Sequence, residues 1–134
     1  MTKRILIVDD EPDIREATQV CLEVSKGWQV MTASSSKEGL AKAISEQPDV
    51  VLLDVMMPDM DGLATFAQMQ TNPKTHHIPV ILLTAKTQPD DRHRFAQLAI
   101  AAVITKPYDP LTLADQIAEI LNRLSRNYED KTPA

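Results

Sequence analysis

One cysteine, Cys21, stands in 134 residues. No internal disulfide can form, so a disulfide-stapled scaffold is excluded. Cys21 falls on the apolar side of a predicted helix, the setting of a packed thiol rather than a reactive one. No apolar run approaches the roughly 20 residues needed to span a membrane. Met1-Thr2-Lys3-Arg4 runs straight into a strand-like segment, without an apolar signal region and cleavage site. The expected location is the cytoplasm, with no membrane contact. The chain also lacks a basic excess: the net charge is −5 and the pI about 5.1. Direct nucleic-acid binding needs a basic face and is not expected as the main task, though acting on DNA through a partner stays open. There is no internal repeat, low-complexity run or second domain. Residues 1–126 are expected to form one domain, followed by a polar, frayed tail over 127–134.

What the chain does have is four apolar runs closed by polar residues. Asp9 and Asp10 close Arg4-Ile5-Leu6-Ile7-Val8, and Asp54 closes Val50-Val51-Leu52-Leu53. Thr84 closes Ile78-Pro79-Val80-Ile81-Leu82-Leu83, and Lys106 closes Ala101-Ala102-Val103-Ile104-Thr105. Such short runs read as strands buried on both faces, which belong to parallel sheets. Strands are predicted at 3–9, 28–33, 49–54, 78–84 and 101–105.

Helical patterns alternate with these strands, at 12–25, 36–46, 63–71, 88–98 and 109–126. Ile14, Ala17, Thr18 and Cys21 follow the spacing of one helix face, as do Leu113, Ile117, Ile120, Leu121 and Leu124. Ser35-Ser36-Lys37-Glu38 has capping-box spacing. Asp109-Pro110 supplies an N-cap and a proline at the first helical position. Lys26-Gly27-Trp28 reads as a C-cap glycine before the second strand. The expected fold is α/β, a doubly wound five-stranded parallel sheet of order 2-1-3-4-5 with five helices, flavodoxin-like. Its switch point lies between strands 1 and 3, whose ends carry Asp9, Asp10 and Asp54.

Gathering three carboxylates is unfavourable without a cation. Two unit charges about 4 Å apart repel by roughly 4 kcal/mol at an effective dielectric near 20. Mg2+ resolves this, because it takes oxygen ligands from one or two carboxylates, waters and phosphate oxygens. A carboxylate can then act as nucleophile and form an aspartyl phosphate. Lys106, the Thr84 hydroxyl and the backbone N–H of Ala85 are the candidate donors to the phosphoryl oxygens. Taken singly, Thr84 is a strand-end threonine and Lys106 a solvated lysine; their joint placement points to a site. His76-His77 has no nearby Cys or acidic partner and reads as a solvated loop. Asp91-Arg92-His93-Arg94 reads as a solvated helix face or a partner edge.

The segments Ile5-Leu6-Ile7-Val8-Asp9-Asp10-Glu11, Asp54-Val55-Met56-Met57-Pro58-Asp59-Met60-Asp61-Gly62, Thr84-Ala85 and Lys106-Pro107-Tyr108 occur in order. Together they resemble the receiver domain of two-component response regulators, over about residues 3–125. The resemblance implies that a histidine kinase or histidine phosphotransfer protein donates a phosphoryl group to Asp54. It implies Mg2+ bound by Asp10, Asp54 and the backbone carbonyl of Met56, with Asp9 assisting through water. Thr84 and Lys106 would contact the phosphoryl group, and the Lys106–Pro107 peptide would be cis. Pro58 would stiffen the loop after the acceptor, and Gly62 would permit a tight turn into the third helix.

The chain departs from this family at several positions. The family's usual aromatic residue three places before the lysine is replaced by Val103, too small and stiff for a ring-flip readout. The expected substitute is movement of the loop after strand 4 and of the helix over 88–98. Ala99-Ile100-Ala101-Ala102 replaces the acids that build a charged dimer face in one subfamily. Thr84, Val103 and Ile100 are the expected switch and partner face, either an apolar docking patch or a tightly packed strand entry. Met56 and Lys86 flank the path of the attacking water and offer no carboxylate or amide to orient it, so a long-lived phosphorylated state is expected.

The leading reading is a stand-alone response regulator, not an enzyme, which signals through phosphorylation-dependent protein contact to an output protein the sequence does not name. Monomer and phosphorylation-dependent homodimer both stay open. One alternative is a relay intermediate that passes the phosphoryl group to a second histidine protein. A second is a degenerate, non-phosphorylated interaction module. An aspartyl phosphatase is disfavoured, since Met56 occupies the place of its acid/base aspartate.

Overall fold

The chain's computed structural model describes residues 3–55, 62–84, 99–106 and 108–131. Strand β1 (Arg4–Val8) leads to helix α1 (Pro12–Lys26), β2 (Gln29–Ala33), α2 (Ser36–Glu46) and β3 (Val50–Asp54). Helix α3 (Gly62–Thr71), β4 (Val80–Thr84), β5 (Ala102–Thr105) and α4 (Pro110–Lys131) complete the described elements. The strands form one parallel sheet of order β2-β1-β3-β4-β5. This is the expected doubly wound, flavodoxin-like order. The helix expected over 88–98 lies outside the described residues.

Alternation along the strands builds two apolar layers. Ile5, Ile7, Val50, Leu52, Ile81, Leu83 and Ile104 face one side, under Leu22 of α1 and Leu113, Ala114, Ile117 and Ile120 of α4. Leu6, Val8, Val51, Leu53, Val80 and Leu82 face the other, under Ala43 of α2 and Phe66 and Met69 of α3. The three central strands are buried on both faces, which is why they read as unbroken apolar runs.

Local chemistry fixes the helix ends. Ser35 accepts the Glu38 N–H at 3.1 Å, as capping-box spacing predicts. The Glu38 carboxylate returns to the Ser34 N–H and hydroxyl, both at 3.1 Å, one residue ahead of the cap. That backbone bond and Lys42 hold Glu38 below the ordinary carboxylate range. Gly27 ends α1 with φ +67 and donates to the Glu23 carbonyl at 2.9 Å.

Two expectations need correction. The face of α1 is rotated: Thr18 and Leu22 are its buried residues, Cys21 is half-buried and Ala17 faces outward. The reason is that α1 must pack against α4 as well as the sheet. Helix α4 runs on to Lys131, so 127–131 are helical rather than a frayed tail. Nothing between Asn127 and Lys131 breaks a helix.

Candidate functional site

Register brings the polar strand ends together. Val8 pairs with Leu53, Asp54 with Leu83 and Thr84 with Thr105, so residues 9, 54, 84 and 106 lie along one edge of the sheet. Alternation then sorts them. Asp9 continues the series Ile5, Ile7; Asp54 continues Val50, Leu52; Lys106 continues Ala102, Ile104. All three series belong to the α1–α4 side.

Asp9 is fully buried and fully engaged. Its N–H donates to Ala33 O at 3.1 Å, and its Oδ1 accepts from the Glu11 N–H at 2.9 Å. Its carbonyl accepts from Arg15 at 2.8 Å, and its Oδ2 from Lys106 Nζ at 2.9 Å. The carboxylate thus orders the turn into α1 and anchors the lysine.

Lys106 is the hub. Its Nζ lies 2.9 Å from Asp9 Oδ2, 3.4 Å from Asp54 Oδ2 and 3.5 Å from Glu11 Oε1. Burial alone would lower its pKa. The hydrogen bond to Asp9 and the charges of Asp54, Asp9 and Glu11 outweigh burial and raise it above the ordinary lysine range.

Asp54, 3% exposed, ends β3. Directly above it, the Gly62 N–H donates to Val55 O at 2.7 Å. A Cβ on Gly62 would stand 2.5 Å from the Asp54 carbonyl oxygen and 2.6 Å from Val55 Cα. The glycine expected for its turn geometry is required here by close approach to the candidate acceptor.

Carboxylate oxygens of Asp9, Glu11 and Asp54 lie within 4.8 Å of one another. Sequence reasoning assigned no role to Glu11, which stands at the N-cap of α1. Asp10, expected as a metal ligand, is half-buried and outside this group. Hard oxygen donors in this number fit Mg2+. Thr84 is buried, 4% exposed, at the end of β4. Met56, Ala85, Lys86 and Pro107, with the expected cis peptide, lie outside the described residues.

On the expected switch face, Ile100 packs against the α2–α3 layer, and Ala101 and Ala102 against the other. Val103 is exposed at 37%. His76 and His77 are exposed and meet edge to face at 5.9 Å. A groove of about 580 Å³ opens beside Lys106, walled by Ile14, Ala17, Tyr108 and Pro110 and lined also by Glu11 and Asp13. The Tyr108 hydroxyl bonds the Thr18 hydroxyl at 2.9 Å, tying α1 to the segment after β5.

A buried aspartate at the switch point, a lysine against it and a cation-ready carboxylate set are the parts that a phosphoryl-accepting signalling domain requires. A family model for the response regulator receiver domain matches residues 5–118, and the chain belongs to that family. It is 38% identical over 92% of its length to the alkaline phosphatase synthesis transcriptional regulatory protein of Bacillus subtilis, covering 50% of that protein. It is 37% identical over 90% of its length to a response regulator, PleD, of Caulobacter vibrioides, covering 26%. The chain therefore spans half or less of these curated relatives. The chemotaxis response regulator CheY4 of Vibrio cholerae superposes with a TM-score of 0.82 at 28% identity, covering 90% of this chain and 99% of that one.

Proposed function

We propose that Asp54 is the phosphoacceptor of this receiver domain and that the chain is a signalling switch, not an enzyme with a separate substrate. The observation that carries this reading is the Asp54–Lys106 pair, 3.4 Å apart and covered from solvent. A carboxylate oxygen of Asp54 attacks phosphorus. The bond from phosphorus to the donor's imidazole nitrogen breaks, and the imidazole leaves with its electron pair and takes up a proton. Lys106 turns its ammonium to a phosphoryl oxygen, and the Thr84 hydroxyl donates to another.

Among the described carboxylates that approach one another, the buried pair Asp9 and Asp54 would hold Mg2+, with Asp10 adjoining them and Glu11 at the exposed side. When bound, the cation offsets carboxylate repulsion and phosphoryl charge. The donor is a histidine kinase or a histidine phosphotransfer protein. Output runs through protein contact, as a stand-alone regulator or a relay intermediate. The Bacillus subtilis relative is a transcriptional regulatory protein longer than this chain, so a DNA-directed output is the second reading.

Incubation with acetyl phosphate and Mg2+, followed by intact mass, tests the central step. A single phosphoryl adduct is expected, lost in Asp54→Asn and without the metal. An adduct of equal yield in Asp54→Asn overturns the assignment.

A further inference from the structure

We propose that Glu11 selects among phosphoryl donors by placing a displaceable negative charge at the solvent rim of the site. The inference rests on Asp54 being the acceptor. Glu11 occupies the N-cap of α1, yet its side chain makes no cap hydrogen bond. The turn is held instead by its own N–H on Asp9 Oδ1. Freed from capping, the carboxylate reaches across the strand ends to Lys106 at 3.5 Å. That contact is long, and the Glu11 side chain is 55% exposed, so it is readily displaced. Asp9 and Asp54 share the same lysine but are buried. Of the three carboxylates, Glu11 alone faces incoming solutes.

A groove adjoins Glu11 and Lys106. Its walls are apolar at Ile14, Ala17, Tyr108 and Pro110, while Glu11, Asp13 and Lys106 also line it, Glu11 being the carboxylate in contact with the lysine. Lys106 is covered, its side chain 14% exposed, so an entering phosphoryl group meets the glutamate before the lysine. A small free dianion is repelled there. A phosphoryl group carried on imidazole, with cationic side chains of a donor protein beside it, is not. Glu11 thereby disfavours free phosphoanhydrides relative to a protein donor, while holding Lys106 over the aspartates until a phosphoryl group draws it away.

The experiment compares the full chain with Glu11→Gln and Glu11→Asp at saturating Mg2+. Initial adduct formation is measured with acetyl phosphate, mostly a dianion, and with phosphoramidate, mostly a monoanion. Glu11→Gln is expected to speed the acetyl phosphate reaction about 5- to 10-fold at low salt, and the phosphoramidate reaction by about 2-fold. The gap is expected to close near 1 M salt, where the Debye length is about 3 Å. Glu11→Asp keeps the wild-type ratio. An unchanged donor ratio in Glu11→Gln overturns the inference while leaving Asp54 as acceptor. Equal slowing with both donors also overturns it and makes Glu11 a metal ligand alone. A wild-type chain that forms no Asp54-dependent adduct overturns both readings.

Discussion

At the residue scale, Lys106 is held by charge against the cost of covering it. Its raised pKa has a defined consequence for stability. The stabilisation from its ionisation is fully present below the unfolded lysine value of about 10.4 and is lost as pH rises through the raised folded value. The stability difference between wild type and Lys106→Met is expected to stay flat from about pH 7 to 10 and to change only above that range. Denaturant titration across that series checks it; a step near neutrality would contradict the account. Gly62 carries a second residue-scale prediction. An added methyl meets backbone at 2.5 Å, which no side-chain rotation relieves. Gly62→Ala should cost about 1–3 kcal/mol in denaturant and slow phosphoryl uptake, because the displaced atoms adjoin Asp54. Normal stability with normal uptake would refute the close-approach argument.

At the element scale, α1 is tied at both ends and in the middle. Asp9 orders its start, Gly27 closes it, and Thr18 meets Tyr108 across 90 positions of sequence. Thr18 is fully buried, so Tyr108→Phe leaves a buried hydroxyl short of its partner. A loss of about 1 kcal/mol is expected in urea unfolding, with part recovered when Thr18→Val is added. No recovery in the double variant would assign the loss to packing instead. Much of this scale was legible in the sequence. Apolar runs buried on both faces specified β1, β3 and β4, and the Ser35 cap and Gly27 stop specified helix ends; the run of β5, expected to be buried likewise, lies at the sheet edge with Val103 exposed. The face of α1 was not, because its period fixes a stripe but not whether sheet or neighbouring helix claims it. The site was legible as Asp9, Asp54, Thr84 and Lys106. Glu11 was missed because its role depends on a side chain turning back from a helix cap, which spacing does not encode.

At the scale of the whole molecule, the sheet order places the carboxylates of β1 and β3 together, and folding itself assembles the repulsion that a cation relieves. Mg2+ should therefore stabilise the native chain by linkage, about 1.4 kcal/mol at ten times its Kd, seen as a rise in Tm. Asp54→Asn should show a smaller rise; equal rises would place the cation elsewhere. The same architecture buries two carboxylates against Lys106 at the switch point, Asp9 and Asp54, and the account assigns phosphoryl uptake to Asp54 alone. Borohydride reduction of the phosphorylated chain, followed by peptide mapping, tests that claim most directly, since an acyl phosphate is reduced to the alcohol at the modified residue. The account predicts homoserine at position 54 and at no other aspartate. Homoserine at position 9 or 10, with Asp54 intact, would contradict it.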